Sequence, residues 1–338
     1  MNDIEELKQF VVAHAKAQQV PEERYRTVLD RIHDDGDGAD GSWAGEWIRA
    51  GAALESEGGF LEATSCYNMG RFPFVDNAAR RRSLESCVNS FARWAGTVPG
   101  AERFEVSPPG GGTVGCWASG LTDPARPLVI ILGGIVSVKE QWGPLLPLAE
   151  RLGMAMVVTE MPGVGENSVA YGPESWRMFP AILEAVRGRC DTDRVYAAAL
   201  SFSGHLALRW AAEDPRVRGI VTIGAPVSEF FTDRDWFGGL PRVTVDTLVH
   251  LIGAPAEKLV DTFLDQQWMV GPQALGRLDI PLYYTASLRD EIIPPGEVGF
   301  LRENARRLSL TEYDDVHGSP EHSEEIRGWV FNSLLEMR

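Results

Sequence analysis

A serine, an aspartate and a histidine follow one another along the chain, each just past the end of an apolar run. Ser201 lies in ALSFSG, Asp290 in ASLRDEIIPP and His317 in YDDVHG. A serine hydroxyl is a weak nucleophile until an imidazole takes its proton, and a carboxylate keeps that imidazole in the useful tautomer. Ser, then Asp, then His is one of the chain orders in which such a relay occurs. The expected roles are nucleophile for Ser201, base for His317 and orienting acid for Asp290. Acyl transfer also needs two backbone N–H groups aimed at the developing oxyanion. Phe202, directly after the nucleophile, is one expected donor. Gly134 or Ile135, in the double-glycine segment LGGIV, is the other.

The serine must stand on a tight strand-to-helix turn, the elbow G-x-S-x-G. Here the flanking positions are Ala199 and Ser203, both small, with Gly204 next. Taken alone, ALSFS fits a helix-capping serine equally well. Ser203 is expected to turn its hydroxyl away, because the helix is already under way. Among the rivals, Glu291 should point away if Asp290 points in. His322 is expected to start the last helix, and His205 to be a packing residue on the elbow helix. His14, His33 and His250 have no motif around them.

The elements that must hold these residues can be read from periodicity. Residues 1–98 show apolar positions three and four apart and predict helices in IEELKQFVVAHAKA, EERYRTVLDRIH, SWAGEWIRAGAALESEG, FLEATSCYNMGRF and NAARRRSLESCVNSFARWAG. The aspartate-rich stretch 33–42 misses the frame of a calcium loop and reads as a solvated linker. From about residue 102 the pattern changes. RFEVSPPGGGTVGCWAS predicts a hairpin, and PLVIILGG, MAMVVTE, RVYAAAL, VRGIVTIG, IPLYYTASL and LSLTEY predict strands. Helices are expected between them, around QWGPLLPLAERLG, ESWRMFPAILEAVRGR, the segment after Ser203, 297–307 and SEEIRGWVFNSLLEM. Wholly apolar strands alternating with helices imply an α/β fold with a mostly parallel sheet flanked by helices. Residues 226–279 interrupt the alternation with helical material. The expected domains are a helical lid or cap region at 1–98 and a catalytic domain at 99–338, with 226–279 contributing to the lid.

The chain has 338 residues, 44% hydrophobic and 24% charged, with a net charge of −16. That charge argues against nucleic acid and against anionic membranes as partners. No apolar run approaches the ~18–20 residues of a membrane span. MNDIEELKQF lacks the basic and apolar regions of a signal peptide. Cys66, Cys87, Cys116 and Cys190 are widely spaced, which favours buried reduced thiols and a cytoplasmic location. No metal or other cofactor is expected. The expected partner is a small-molecule substrate, and a homodimer is compatible with the sequence.

The segments LGGIVSVKEQW, EMPGVGEN, ALSFSG, ASLRDEIIPP and VHG, in this order, resemble the α/β-hydrolase superfamily. Within it the chain is similar to the FrsA-like esterase group, which takes in 2,6-dihydroxypseudooxynicotine hydrolase and fungal polyketide-shortening hydrolases. The resemblance implies Ser201, Asp290 and His317 as the triad and a site between the helical segment and the sheet. It also implies hydrolysis of an ester or of a carbon–carbon bond beside a ketone; the aromatic residues of the expected lid segments point to a mid-sized apolar metabolite, such as a polyketide or an aromatic secondary metabolite, as the substrate. Elimination of a carboxylate such as acetate by the same triad, as a lyase, is the alternative; a non-catalytic binding protein is the third. Many aromatic residues fall in the expected lid segments: Trp43, Trp47, Phe72, Phe74, Trp142, Trp176, Phe230, Phe231, Trp236 and Trp268. Trp142, Glu229 and Phe230 are the candidates for substrate contact. Glu229 and Asp233, after the strand ending at 224, are either site-tuning carboxylates or members of a solvated loop.

Overall fold

The apolar runs assemble into one eight-stranded sheet in the order β1-β2-β4-β3-β5-β6-β7-β8. The strands are β1 Glu102–Val106, β2 Val114–Ser119, β3 Pro127–Leu132, β4 Ala155–Val158, β5 Asp191–Ala199, β6 Val217–Ile223, β7 Leu282–Ser287 and β8 Leu308–Tyr313. This is a computed structural model that describes residues 3–338; Met1 and Asn2, which open the expected 1–98 region, lie outside the described residues. β1 and β2 form the antiparallel hairpin, and β2 also runs antiparallel to β4. From β4 through β8 the pairs are parallel. Every residue of β2, β3 and β4 is buried. Covering both faces explains why those strands read as continuous apolar runs; each buried Leu, Ile or Val stabilises by roughly 1.5–3 kcal/mol.

The chain divides into two compact units, one ending at Pro99 and one spanning Gly100–Arg338. The first contains helices Ile4–Ala17, Glu22–Leu29, Trp43–Ser56, Phe60–Arg71 and Ala78–Ala95. Side chains cap three of them: Asp3, Ser42 and Asn77 accept from the first-turn N–H groups. The 33–42 stretch is solvated at His33, Asp34, Asp37, Ala39 and Asp40, as expected, but it is a tethered loop and not a free linker. Asp35 is buried in an ion pair with Arg80, Asp37 accepts from Ala79 N at 3.0 Å, and Asp34 O accepts from Trp43 N at 2.9 Å. Periodicity does not reveal this, because Asp35 and Asp37 find partners about forty residues away.

In the second unit, the helix expected around 141–153 is broken into Lys139–Trp142, a 3₁₀ segment Gly143–Leu148 and Ala149–Leu152. Pro144 and Pro147 lack the N–H that a continuous helix needs. The elbow helix is Phe202–Glu213. Between β6 and β7 the chain forms helices Arg234–Phe237, Arg242–Ile252, Leu259–Asp265 and Pro272–Arg277. Trp43, Trp47, Phe72, Phe230, Phe231 and Trp268 are fully buried, whereas Phe74, Trp142, Trp176 and Trp236 are half-buried. All four cysteines are buried. No helix among the described residues is long and apolar enough to cross a membrane.

Candidate active site

β5 ends at Ala199 and the elbow helix begins at Phe202, so Ser201 must reverse the chain between them. It does so at φ 57°, ψ −131°, a conformation that L residues rarely adopt and that the surrounding structure must enforce. Two main-chain bonds clamp it: Ser201 N donates to Ile223 O at 2.8 Å, and Gly204 N donates to Ser201 O at 2.8 Å. The tight approach of helix to strand falls at Gly204. A Cβ there would collide with Ala225 Cβ at 2.6 Å and lie 3.1 Å from Ala199 O. The position two after the serine therefore has room for a side chain. Ser203 Oγ, fully buried, lies 3.0 Å from Leu132 O and 2.9 Å from Leu200 O. It stitches the elbow to the end of β3.

Ser201 Oγ lies 2.9 Å from His317 Nε2. The other ring nitrogen, Nδ1, is 2.9 Å from Asp290 Oδ2 and 3.0 Å from Oδ1. The carboxylate assigns the proton to Nδ1, which leaves Nε2 as the acceptor of the serine hydroxyl. Asp290 is itself held, because Oδ1 accepts from Ile292 N at 2.9 Å and Ile293 N at 2.8 Å. The IIPP turn after Asp290 supplies these donors. Burial alone would lower the His317 pKa, but Asp290, by charge and hydrogen bond, and Glu291, by charge, raise it above the usual histidine value. At the end of β6, Gly224 has φ 56°, and a Cβ on it would lie 3.0 Å from His317 Cε1 and 3.4 Å from Asp290 Oδ2. Only glycine suits that position.

Gly134 follows β3 and faces the serine: a Cβ on it would lie 3.1 Å from Ser201 Cβ and 3.2 Å from Oγ. The loop carrying Gly134 and Ile135 thus runs beside Ser201, and Phe202 opens the elbow helix, whose first N–H groups have no intrahelical acceptor. Trp142 is half-buried, with its Nε1 against Gly133. Glu229 is half-buried beside Gly296. Phe230 is fully buried and edge-on to Phe202 at 5.1 Å, within a cluster that includes Phe231, Phe237 and Phe263. Asp233 caps the short helix Arg234–Phe237 by accepting from Trp236 N at 2.9 Å.

His205 is a packing residue. Its Nε2 meets Trp268 O at 2.6 Å, and burial pushes its pKa down to about 3. His322 immediately precedes the last helix, Ser323–Met337, with Nδ1 3.5 Å from Glu325. Glu291 does not simply point away; its Oε2 accepts from His317 N at 2.9 Å.

Two supporting groups have no counterpart in the residue-by-residue reading. Lys139, fully buried, sends Nζ to Glu140 at 2.9 Å, Glu160 at 3.2 Å and Glu166 at 2.6 Å, and its own N–H donates to Glu160 Oε2 at 2.9 Å. Burial alone would lower the Lys139 pKa, but the three carboxylates together raise it. Glu160 also accepts from Glu166 N at 2.8 Å, so one carboxylate ties the loop after β3 to the loop after β4. Its pKa is raised by burial, against the pull of Lys139. The second group is Glu297, which accepts from the main-chain N–H of Val227, Ser228 and Phe230 and fixes the loop after β6. The lysine and the glutamates of the segments SVKEQW and TEMPGVGEN were visible as residues, but their pairing needs the two strands side by side. No cluster of metal-ligating residues occurs among the described residues.

The mostly parallel eight-stranded sheet with helices between its strands has the α/β-hydrolase fold, as its likeness to solved hydrolase and esterase structures shows. The family model for esterase FrsA-like proteins matches residues 2–270, and the chain belongs to that family. Esterase FrsA of Citrobacter koseri is 25% identical over 349 residues, covering 96% of this chain and 82% of the relative. The esterase FrsA of Vibrio cholerae is 24% identical over 232 residues, covering 63% of this chain and 55% of the relative's length. Wild-type AbyA5 is similar with a TM-score of 0.94 and 50% identity, covering 99% of this chain and 95% of AbyA5. The 2,6-dihydroxy-pseudo-oxynicotine hydrolase is similar in fold, with a TM-score of 0.73, 20% identity and 95% of each chain covered. The chain is an enzyme of the hydrolase class.

Proposed function

We propose that the chain is a serine hydrolase in which Ser201 is the nucleophile, His317 the base and Asp290 the orienting acid. Its substrate is an ester, or a ketone with an activated carbon–carbon bond, in a mid-sized apolar metabolite of the polyketide or aromatic secondary class. The observation that carries the reading is the hydrogen-bonded line from Ser201 Oγ through both His317 nitrogens to Asp290, at 2.9 Å on each side of the ring. In the reaction, Ser201 Oγ attacks the substrate carbonyl carbon while its proton passes to His317 Nε2. The N–H groups of Phe202 and of Gly134 or Ile135 receive the oxyanion. His317 then returns the proton to the leaving group. A water molecule, deprotonated by the same nitrogen, releases the acyl group. Membership of an esterase family supports ester cleavage. The fold likeness to a hydrolase of 2,6-dihydroxy-pseudo-oxynicotine keeps ketones within the proposed range. Half-buried Trp142, beside Gly133, is the proposed apolar wall for the substrate, with half-buried Glu229 after β6 as a further candidate; Phe230, fully buried among aromatic rings, has no free surface to offer a substrate.

A fluorophosphonate probe and a panel of acyl esters and β-diketones, assayed in ¹⁸O-labelled water, test the proposal. Covalent labelling of Ser201 and ¹⁸O in the released acid are expected. Folded protein that is not labelled at Ser201 overturns the nucleophile. An acid released without solvent oxygen replaces hydrolysis with elimination.

A further inference from the structure

Asp290 and Glu291 are consecutive in the loop after β7, and both reach His317, but at different atoms. Asp290 holds the ring through Nδ1. Glu291 Oε2 accepts from the main-chain N–H of the same residue at 2.9 Å. We propose that Glu291 is a positioning residue for His317: one carboxylate grips the imidazole and its neighbour grips the backbone that carries it. This rests on the reading of His317 as the base.

The backbone needs such a grip. His317 stands in a loop between β8 and the 3₁₀ segment Pro320–His322, outside any ladder of strand hydrogen bonds. Gly318 and Ser319, which follow it, both have positive φ. The neighbouring carboxylate of Asp315 is committed to its own loop, accepting from Val316 N at 2.8 Å and Glu321 N at 2.9 Å. Without Glu291, the His317 N–H would lose its acceptor, and the ring would depend on Asp290 alone for its place. A displacement of about 1 Å at a catalytic group can cost on the order of 10²-fold in rate.

Glu291 also contributes charge. The groups that face His317 are Ser201 from the elbow, the Gly224 backbone at the end of β6, and Asp290 and Glu291 from the loop after β7; the Asp315 carboxylate of its own loop is turned to Val316 N and Glu321 N. Behind them, Tyr284 of β7 and Glu297 interact electrostatically with each other, and Tyr284 with Asp290. Asp290 and Glu291 are the carboxylates that favour the imidazolium against burial. The geometry therefore assigns Glu291 two separable effects: a hydrogen bond that fixes position and a charge that favours the proton on His317.

Glu291→Gln keeps an acceptor for the His317 N–H and removes the charge. Glu291→Ala removes both. The rate of fluorophosphonate labelling and kcat/KM for an ester are measured from pH 5 to 9 on the full chain, with Ser201→Ala as the blank and thermal melting to verify folding. For Glu291→Gln the acid limb should move to lower pH, because a charge that favours the imidazolium is gone. For Glu291→Ala the same shift should come with a plateau at least tenfold below that of Glu291→Gln. Glu291→Asp, which keeps the charge on a shorter arm, should leave the limb near its original pH while lowering the plateau. An acid limb that does not move in Glu291→Gln overturns the electrostatic part, and equal plateaus for Gln and Ala overturn the positioning part. A parent enzyme that labels at Ser201 but fails these tests refutes Glu291 alone. A parent that does not label refutes the base reading and Glu291 with it.

Discussion

Replacing Ser203 separates the two serines of the elbow. Ser203 Oγ is buried between Leu132 O at 3.0 Å and Leu200 O at 2.9 Å, and it has one proton to share between them. Leu132 O keeps another donor, Leu200 N at 3.0 Å, so removal of the hydroxyl does not strand it. For Ser203→Gly, loss of one net hydrogen bond and the greater freedom of glycine in the unfolded chain together cost about 1.5–2 kcal/mol. The stability loss should appear as a lower denaturation midpoint, while kcat stays within a few-fold of the parent. Ser203→Ala removes the hydroxyl without the glycine term and should cost about 1 kcal/mol. Ser201→Ala should do the reverse: kcat falls by on the order of 10⁴–10⁶-fold with the melting temperature nearly unchanged. The assay is a paired one, chemical denaturation beside turnover of whichever ester the parent enzyme accepts. Loss of turnover in Ser203→Ala, with retention in Ser201→Ala, would refute the elbow assignment. Full activity in both variants would remove serine from the mechanism.

Other outcomes follow from the same geometry. Because Asp290 and Glu291 raise the His317 pKa, kcat/KM should fall as pH drops through a value above the ordinary 6.5, and a profile without an acid limb between roughly pH 5 and 8 would exclude His317 as the base. His205 is held neutral with a pKa of about 3, so it contributes stability that is present above pH 6.5 and lost as pH falls toward 3. Measured against His205→Gln, whose side chain does not titrate, the parent should lose about 1.4 kcal/mol per pH unit below 6.5, and parallel stability curves for the two would show that His205 is not the group responsible. Gly224→Ala forces a Cβ to 3.0 Å from His317 Cε1 at a positive φ; activity should fall on the order of 10²-fold with the protein still folded, and an unchanged kcat would show that the end of β6 does not restrain the histidine.

The sequence by itself determined the sheet and the chain order of the candidate triad. Apolar runs such as PLVIIL and VRGIVTI are strands because they are buried on both faces, and that burial is written in composition. The triad candidates were legible because each stands where such a run ends, and a parallel sheet gathers the carboxyl ends of its strands on one side. What the tertiary structure decided concerns partners that local pattern does not name. The sequence shows glycine missing from position 203; only packing shows that the crowded point is Gly204 and that Ser203 has carbonyls to meet. From the sequence, Asp290 is the acid beside the imidazole and Glu291 is expected to point away; only the folded chain shows Glu291 meeting the main-chain N–H of His317 while Asp290 meets its ring. Phe230, read as a candidate for substrate contact, is surrounded by other aromatic rings, because a wholly apolar side chain goes where the surrounding helices leave dry volume. Lys139 is charged yet fully buried, and only the side-by-side loops after β3 and β4 bring it the carboxylates that make its burial tolerable. Periodicity is a property of neighbours along the chain, whereas each of these assignments depends on groups that only folding brings within reach.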